Sequence, residues 1–164
     1  MRPVPERPAP GQESVWDYPR PPHVERVSKR VRVVLGGTEI VDTQDVVRVL
    51  ETSHPPVYYL PIDAFAAGAL VPGEGASFCE YKGGARYFDV HGGGQSRPRA
   101  GWTYPHPSPG FDVLEGRVAV YPGEMDRCTV DGVEVQPQPG GFYGGWITPE
   151  IVGPFKGGPG THGW

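Results

Sequence analysis

The chain has 164 residues, of which 37% are hydrophobic and 21% are charged, so it is long enough to build one hydrophobic core. Its formal net charge of −4 at pH 7 argues against a nucleic-acid partner, because nucleic-acid modules usually carry a basic surface. No run approaches the ~18 apolar residues of a membrane span, and no signal-peptide core is found, so we expect a cytoplasmic protein without a membrane partner.

Glycine and proline are frequent, with 25 and 21 residues, a level that is typical of disordered chains. Four Trp, eight Tyr and six Phe are spread through the same segments, and they supply the buried area that disordered chains lack. The composition therefore predicts a loop-rich β-domain with aromatic packing. Residues 1–12 are rich in proline and poor in apolar side chains, so we predict a poorly ordered arm there and a single β-domain over residues 13–164.

The first half of the domain is predicted to contain two strands in a hairpin, a third strand and short helical segments. Residues 30–41 are predicted as the β-hairpin, because the Gly-Gly pair at its centre tolerates the positive φ of primed turns. Residues 44–50 are predicted as a helical turn capped by the preceding Asp-Thr pair, although their valines favour a strand. Residues 57–60 are predicted as a strand and residues 63–70 as a short helix.

The second half is predicted to consist of strands. Residues 77–90 are predicted as a hairpin around a second Gly-Gly pair, and residues 128–135 as a hairpin around Asp-Gly. Residues 102–104 and 117–121 complete the predicted strands. Strands and helices do not alternate, which predicts a mainly β fold, a small antiparallel domain with one or two short helices.

The C-terminal tail, residues 136–164, combines glycines, prolines and aromatics, including the run GGFYGGW. Its aromatic side chains gain burial only when the tail is packed, so we predict an ordered Pro/Gly-rich tail. Together with ESVWDYPRPP (residues 13–22), RVLETSHPPVYYLP (48–61) and CEYKG (79–83), the tail resembles actinobacterial members of the family called domain of unknown function 427. The resemblance implies a small antiparallel β-domain similar to the β-tent architecture.

This family is sometimes labelled nucleotidyltransferase-like, but the chain contains no motif that matches this label. A nucleotide-transfer site of the common kind uses a Gly-Ser pair and closely spaced carboxylates for Mg²⁺, and the sequence has neither Gly-Ser nor Asp-x-Asp. The G-x-G-x-x-G match at residues 158–163 opens no helix, so it does not predict a dinucleotide site. We therefore predict no cofactor and keep nucleotide transfer as a second alternative function.

Metal and disulfide chemistry are not indicated by local spacing. The five histidines are His23, His54, His91, His106 and His162. None lies four residues from another or beside a cysteine pair, so no local zinc motif is predicted, and a metal site built from distant residues is left open. Cys79 and Cys128 are far apart and form no C-x-x-C motif, so both are predicted to be unpaired thiols.

Eight polar and aromatic residues are the candidates for ligand binding. They are Glu51, His54, Tyr59, Cys79, Tyr81, Lys82, Trp102 and Tyr104. Since alternate residues of a strand share a face, Cys79 and Tyr81 are expected on one face and Lys82 on the other. A glutamate and a lysine in an aromatic-walled cleft can bind a polar ligand or exchange protons. The alternative interpretation is a structural ion pair between Glu51 and Lys82.

The leading functional hypothesis is a domain that binds a small polar or sugar-like molecule in this cleft. Glu51 would serve as an acid, base or hydrogen-bond acceptor, and Lys82 as an electrostatic anchor. The alternative is a protein-interaction module that uses the Pro/Gly/aromatic tail. The tryptophans other than Trp102 are interpreted as packing residues, and Lys156 as reaching an anion or solvent. The sequence leaves catalysis and the oligomeric state open.

Overall fold

A computed structural model describes residues 2–164 of the protein and shows a mainly β fold. The strands in chain order are β1 (Glu13–Ser14), β2 (His23–Val27), β3 (Val31–Leu35), β4 (Thr38–Thr43), β5 (Val46–Leu50), β6 (Val57–Pro61), β7 (Leu70–Cys79), β8 (Gly83–Gly92), β9 (Gln95–Thr103), β10 (Arg117–Val120), β11 (Arg127–Val130), β12 (Val133–Glu134), β13 (Gln136–Pro137), β14 (Trp146–Ile147) and β15 (Ile151–Val152). Single 3₁₀ turns cover Val15–Asp17, Ile62–Ala64, Asp112–Leu114 and Pro122–Glu124. Between residues 2 and 164 there is no α-helix.

Two antiparallel sheets make up most of the fold, which confirms the predicted mainly β, antiparallel class. The larger sheet has seven strands in the order β2-β5-β6-β10-β9-β8-β7, and the smaller one has four in the order β12-β11-β3-β4. Strands β13 and β14 form a short antiparallel pair, and β1 pairs with β15 in parallel. The long β7, β8 and β9 follow one another directly, so one side of the larger sheet is a meander.

The hairpin turns predicted at Gly36-Gly37 and at Asp131-Gly132 are confirmed. Strands β3 and β4 meet at Gly36 and Gly37, whose φ angles are 61° and 73°. Strands β11 and β12 meet at Asp131 and Gly132, whose φ angles are 48° and 79°. These positive φ values are those of a primed turn, which glycine adopts without a steric cost and aspartate tolerates.

Two predicted helical segments are wrong. Residues 46–50 form strand β5, which pairs with β2 on one side and β6 on the other. The β-branched valines fit a central strand, and this pairing outweighs the local capping signal. Of the helix predicted over residues 63–70, only the 3₁₀ turn Ile62–Ala64 forms, and β7 already begins at Leu70.

The two faces of the seven-stranded sheet bury different side chains, because neighbouring residues of a strand point in opposite directions. The aliphatic face has Leu60, Val90, Val118 and Val120 fully buried, and it packs against Val31, Val33 and Leu35 of the four-stranded sheet. The aromatic face carries Val47, Tyr59, Trp102, Tyr104, Leu114 and Ala119. Adjacent residues of β6 and β10 are therefore divided between the two faces.

The C-terminal tail is packed against the rest of the fold. Trp146 of β14 is fully buried, stacks on Tyr58 with ring centroids 5.0 Å apart, and donates through Nε1 to the Val120 carbonyl. Trp16 and Trp164 pack edge to face at 5.7 Å in a third buried cluster. The predicted packing of the tail and the packing role of these tryptophans agree with these contacts.

The N-terminal arm runs along the tail without forming a helix or strand between residues 2 and 12. The Glu6 N–H donates to the Gly153 carbonyl at 2.8 Å, and the Gly153 N–H donates back to the Glu6 carboxylate at 2.6 Å. The weak order expected for this arm and the single-domain organisation stay predictions. In the described part of the chain, no helix is long and apolar enough to cross a membrane.

Candidate functional site

The tail lies across the aromatic face of the sheet and forms with it a cleft of about 510 Å³. All eight residues selected from the sequence line this cleft: Glu51, His54, Tyr59, Cys79, Tyr81, Lys82, Trp102 and Tyr104. Further lining side chains are Tyr87, Tyr121, Gln138, Phe142, Tyr143 and Lys156. A volume of this size and a largely aromatic wall are typical of sites for small molecules.

Glu51 and His54 lie in the turn between β5 and β6, where the His54 N–H donates to the Glu51 carbonyl at 3.0 Å. The N-terminal segment and the tail hold this turn at Ser53. Its N–H donates to the Val15 carbonyl at 3.0 Å, and its carbonyl accepts from the Lys156 N–H at 2.9 Å. Ser53 has a φ of 72° and a buried hydroxyl without a partner among residues 2–164. The position of His54 is thus maintained at a cost to stability.

Gln138 fixes the tautomer of His54. Its Oε1 accepts from the Gly145 N–H at 3.0 Å and its Nε2 donates to the Lys156 carbonyl at 2.8 Å, so the orientation of the amide is determined. The same Nε2 lies 3.1 Å from His54 Nδ1, which must therefore accept a hydrogen bond. The imidazole proton is consequently on Nε2, the nitrogen that lies near Glu51.

His54 is neutral at physiological pH. Burial, followed by the positive charges of Lys156, Arg20 and Lys82, lowers the pKa of His54 from its ordinary 6.5 to about 4. The three cations act on His54 from three separate segments, since Arg20 precedes β2, Lys82 lies between β7 and β8, and Lys156 lies in the tail. His54 therefore acts in the cleft as a neutral N–H donor.

The expected ion pair between Glu51 and Lys82 is wrong. The Glu51 carboxylate lies 3.7 Å from Arg20 Nε and 3.7 Å from His54 Nε2. In residues 2–164 no carboxylate lies within 4.0 Å of Lys82, whose ammonium nitrogen is instead 5.9 Å from the Tyr104 ring centroid. Arg20 reaches Glu51 from the adjoining N-terminal segment, whereas Lys82 approaches the cleft from the far end of the sheet.

The floor of the cleft is a cluster of aromatic rings. Tyr59 is fully buried and accepts a hydrogen bond from Trp102 Nε1 at 3.3 Å, and Tyr104 lies next to it with ring centroids 6.3 Å apart. Burial raises the pKa of both Tyr59 and Tyr104, so both phenols keep their protons at neutral pH. The floor thus offers ring faces together with neutral hydroxyl groups.

Tyr81 and Lys82 were expected on opposite faces of a strand, but both lie in a turn. Strand β7 ends at Cys79, which pairs with Gly83 of β8, and residues 80–82 form the turn. The turn rotates the chain, so Cys79, Tyr81 and Lys82 all line the same cleft. The hairpin is confirmed, but its turn lies three residues earlier than the Gly-Gly pair suggested.

A glycine-flanked segment of the tail, residues 139–145, covers the cleft, and we call it the tail loop. Tyr143 packs edge to face on His54 at 4.7 Å, and the Lys156 ammonium lies 5.7 Å from the Tyr143 ring centroid. Gly144 lies so close to the Trp102 ring that a Cβ at this position would overlap it. A glycine at position 144 is therefore what allows the loop to close over the aromatic floor.

Sequence reasoning missed Gln138 and Tyr143 as cleft residues. Gln138 is almost completely buried, but the repeat Gln-Pro-Gln-Pro carries no signal that distinguishes it from Gln136. Tyr143 lies between glycine pairs, a pattern that could have indicated a loop built for close approach to another surface.

A second concavity of about 810 Å³ adjoins the cleft on the other side of the tail loop. Half of its lining residues are proline or glycine, and its charged lining residues are Arg99 and Glu124. The Arg99 guanidinium lies 4.5 Å from the Tyr87 ring centroid. None of the eight residues selected from the sequence lines this second concavity. We therefore place the candidate site in the smaller cleft.

The two cysteines are unpaired, as predicted. Cys128 of the four-stranded sheet is buried in the core against the aliphatic face, whereas Cys79 is half-buried at the cleft. In the described residues 2–164 no three His, Cys, Asp or Glu side chains form a group that could hold a metal.

Comparison with known families identifies the chain. The family model described as a domain of unknown function (DUF427) matches residues 23–131, about two thirds of the chain. The protein therefore belongs to this family, and the resemblance noted in its sequence is confirmed. No curated protein matches the chain. The matched segment contains all eight predicted cleft residues, whereas Gln138, Tyr143 and Lys156 lie outside it.

Proposed function

We propose that this member of the family binds a small polar, sugar-like molecule in the cleft between the aromatic face and the tail. The observation that supports the proposal is the convergence of all eight sequence-selected residues on one cavity of about 510 Å³. Aromatic walls with a few directed polar groups suit a ring that has one apolar side and a polar edge.

The individual residues have separate roles in this proposal. Tyr81, Trp102 and Tyr104 provide ring faces, and Glu51 accepts hydrogen bonds from ligand hydroxyl groups. His54 donates from Nε2, since Gln138 occupies its other nitrogen. The strained Ser53 supports a functional role for this turn, because unsatisfied and strained residues concentrate at binding sites.

The test is ligand-observed NMR with four probes: glucose, N-acetylglucosamine, glucuronate and glucose 6-phosphate. At least one probe should bind the wild-type protein, and Tyr81→Ala should weaken its binding, because a half-buried wall of the cleft is removed. Ile62→Ala is the matched control, since Ile62 is 41% exposed and does not line the cleft. If none of the four probes binds at a probe concentration of about 10 mM, any binding free energy is weaker than about 3 kcal/mol, and the proposal is contradicted.

The interaction-module alternative rests on Phe78 and Phe142, which are 78% and 75% exposed at the mouth of the cleft. Exposed aromatics of this kind can bind a partner protein or cover a bound ligand. Phe142→Ser distinguishes the two, since it weakens probe binding only if the ring covers the ligand. The nucleotidyltransferase-like alternative has no supporting observation among the described residues.

A further inference from the structure

Seven of the fifteen lysines and arginines have a carboxylate within 4.0 Å among residues 2–164, but the two lysines that line the cleft do not. Of the three lysines, only Lys29 lies within 4.0 Å of an Asp or Glu carboxylate in residues 2–164, contacting Asp131 and Glu150. Lys82 and Lys156 line the cleft, and Lys156 Nζ donates to the main-chain oxygen of Trp164 at 3.2 Å. The cleft therefore has ammonium groups that are available to a ligand.

The other polar groups of the cleft strengthen this bias toward binding an anion. The lining carboxylates are Glu51, whose charge is shared with Arg20, and Glu80, which is exposed at the rim. His54 offers an N–H at Nε2 rather than a lone pair, because its Nδ1 accepts from Gln138. An anionic oxygen entering the cleft would meet several donors in a partly desolvated, aromatic environment, where such contacts are strong.

We infer that the ligand is an acidic sugar derivative, a ring that carries a carboxylate or phosphate group bound by the ammonium groups of Lys82 and Lys156. This inference rests on the proposed function. The ring lies against the aromatic floor, one hydroxyl edge faces Glu51, and the anionic group lies between Lys82 of the β7–β8 turn and Lys156 of the tail. Because Lys82 belongs to the β7–β8 turn and Lys156 to the tail, an anion bound by both lysines also holds the tail over the ligand.

The experiment compares the affinities of glucose, glucuronate and glucose 6-phosphate for the wild-type protein, Lys82→Met and the matched control Lys29→Met, by calorimetry. We expect at least one anionic probe to bind roughly tenfold to a hundredfold more tightly than glucose, as one charge-assisted hydrogen bond predicts. Lys82→Met should remove this preference, so that neither anionic probe binds this variant more tightly than glucose binds the same variant. Lys29→Met should keep the preference, because Lys29 lies outside the cleft.

A second measurement does not depend on the folding of any variant. Raising the salt concentration from about 0.05 to 0.5 M should reduce the preference of the wild-type protein for the anionic probe, because screening weakens charge interactions. Glucose binding should change little. Whether glucuronate or glucose 6-phosphate binds more tightly identifies the anionic group as a carboxylate or a phosphate.

The outcomes separate the inference from the proposed function. If glucose binds as tightly as both anionic probes, or if the preference survives in Lys82→Met, the inference fails and the proposed function stands. If no probe binds, the proposed function fails and the inference fails with it.

Discussion

The two faces of the seven-stranded sheet are built from neighbouring residues of the same strands, yet they differ in how completely they are covered. Leu60 and Val118 on the aliphatic face have no exposed surface and pack with the four-stranded sheet. Tyr59 and Ala119 on the aromatic face are equally buried, but a cleft lies above them and a loop covers it.

The comparison suggests that stability and ligand binding are assigned to opposite sides of one sheet. Branched aliphatic side chains fill a closed core without leaving polar groups, whereas aromatic rings with hydroxyl and indole groups line an open cleft. The two tyrosines of β6 illustrate the difference. Tyr58 stacks on buried Trp146, and Tyr59 meets Trp102 edge to face at 6.5 Å. The following predictions test this division.

The largest expected effect comes from the aliphatic face. Leu60→Ala should lower the free energy of unfolding by about 3 kcal/mol, because it leaves a cavity in a closed core. Tyr59→Phe, at the adjacent position, should cost only about 1 kcal/mol, since it removes one hydrogen bond from Trp102. Urea unfolding measures both. Equal losses for the two variants would show that the faces do not differ in this way.

The sequence predicted the tight hairpin turns of the fold but not strand β5. Glycine pairs and Asp-Gly carry their own turn chemistry, so the hairpins were predictable. Strand β5 was not, because its identity depends on pairing with β2 and β6 rather than on the local capping signal.

The cleft residues could be selected by type, but their contacts could not be assigned. Glu51 was expected to pair with Lys82, and it pairs with Arg20 because the N-terminal segment returns to the β5–β6 turn. Gln138 was not recognised because its role depends on meeting His54, 84 residues away in the chain. Such long-range contacts have no local signature in a single sequence.

The second prediction concerns the pH dependence that His54 imposes. Its pKa is about 4 in the folded state and near 6.5 in the unfolded chain, so below pH 6.5 protons bind preferentially to the unfolded state. This contribution to stability is fully present above pH 6.5 and is lost as the pH falls toward 4. Between pH 7.5 and pH 5 we expect a loss of about 2 kcal/mol from this residue.

His54→Asn is the matched variant, because the asparagine Oδ1 can still accept from Gln138 but does not titrate. The difference in unfolding free energy between the wild-type protein and His54→Asn, measured across this pH range, gives the contribution of the histidine, because the carboxylates contribute equally in both proteins. A constant difference between the two proteins from pH 7.5 to pH 5 would refute the burial of a neutral His54.

The third prediction tests the cover of the aromatic face. Gly144→Ala should lower the free energy of unfolding by about 1 kcal/mol, because the added methyl group overlaps the rigid Trp102 ring and lifts the tail loop. It should also weaken binding of the probe that binds the wild-type protein. Gly163→Ala is the control in the same tail, since a Cβ there meets nothing within 4 Å. Identical behaviour of the two variants would mean that the loop does not depend on this close approach.

The smallest effect on stability, and the most direct comparison of the two faces, comes from the cysteines. Cys128 lies on the four-stranded sheet and packs in the core against the aliphatic face, where burial raises its pKa to about 12, and only the thiolate is reactive. Cys79 lines the cleft, so an aromatic disulfide reagent should modify it in the folded protein, while Cys128 should react only after unfolding. Cys79→Ser should abolish the native-state reaction and change stability by less than about 0.5 kcal/mol.

A bound probe should slow modification of Cys79, because it occupies the cleft that the reagent must enter. If Cys79 and Cys128 react at equal rates in the folded protein, the two thiols are equally accessible to the reagent. That result would contradict the proposed assignment of stability and ligand binding to opposite sides of the sheet.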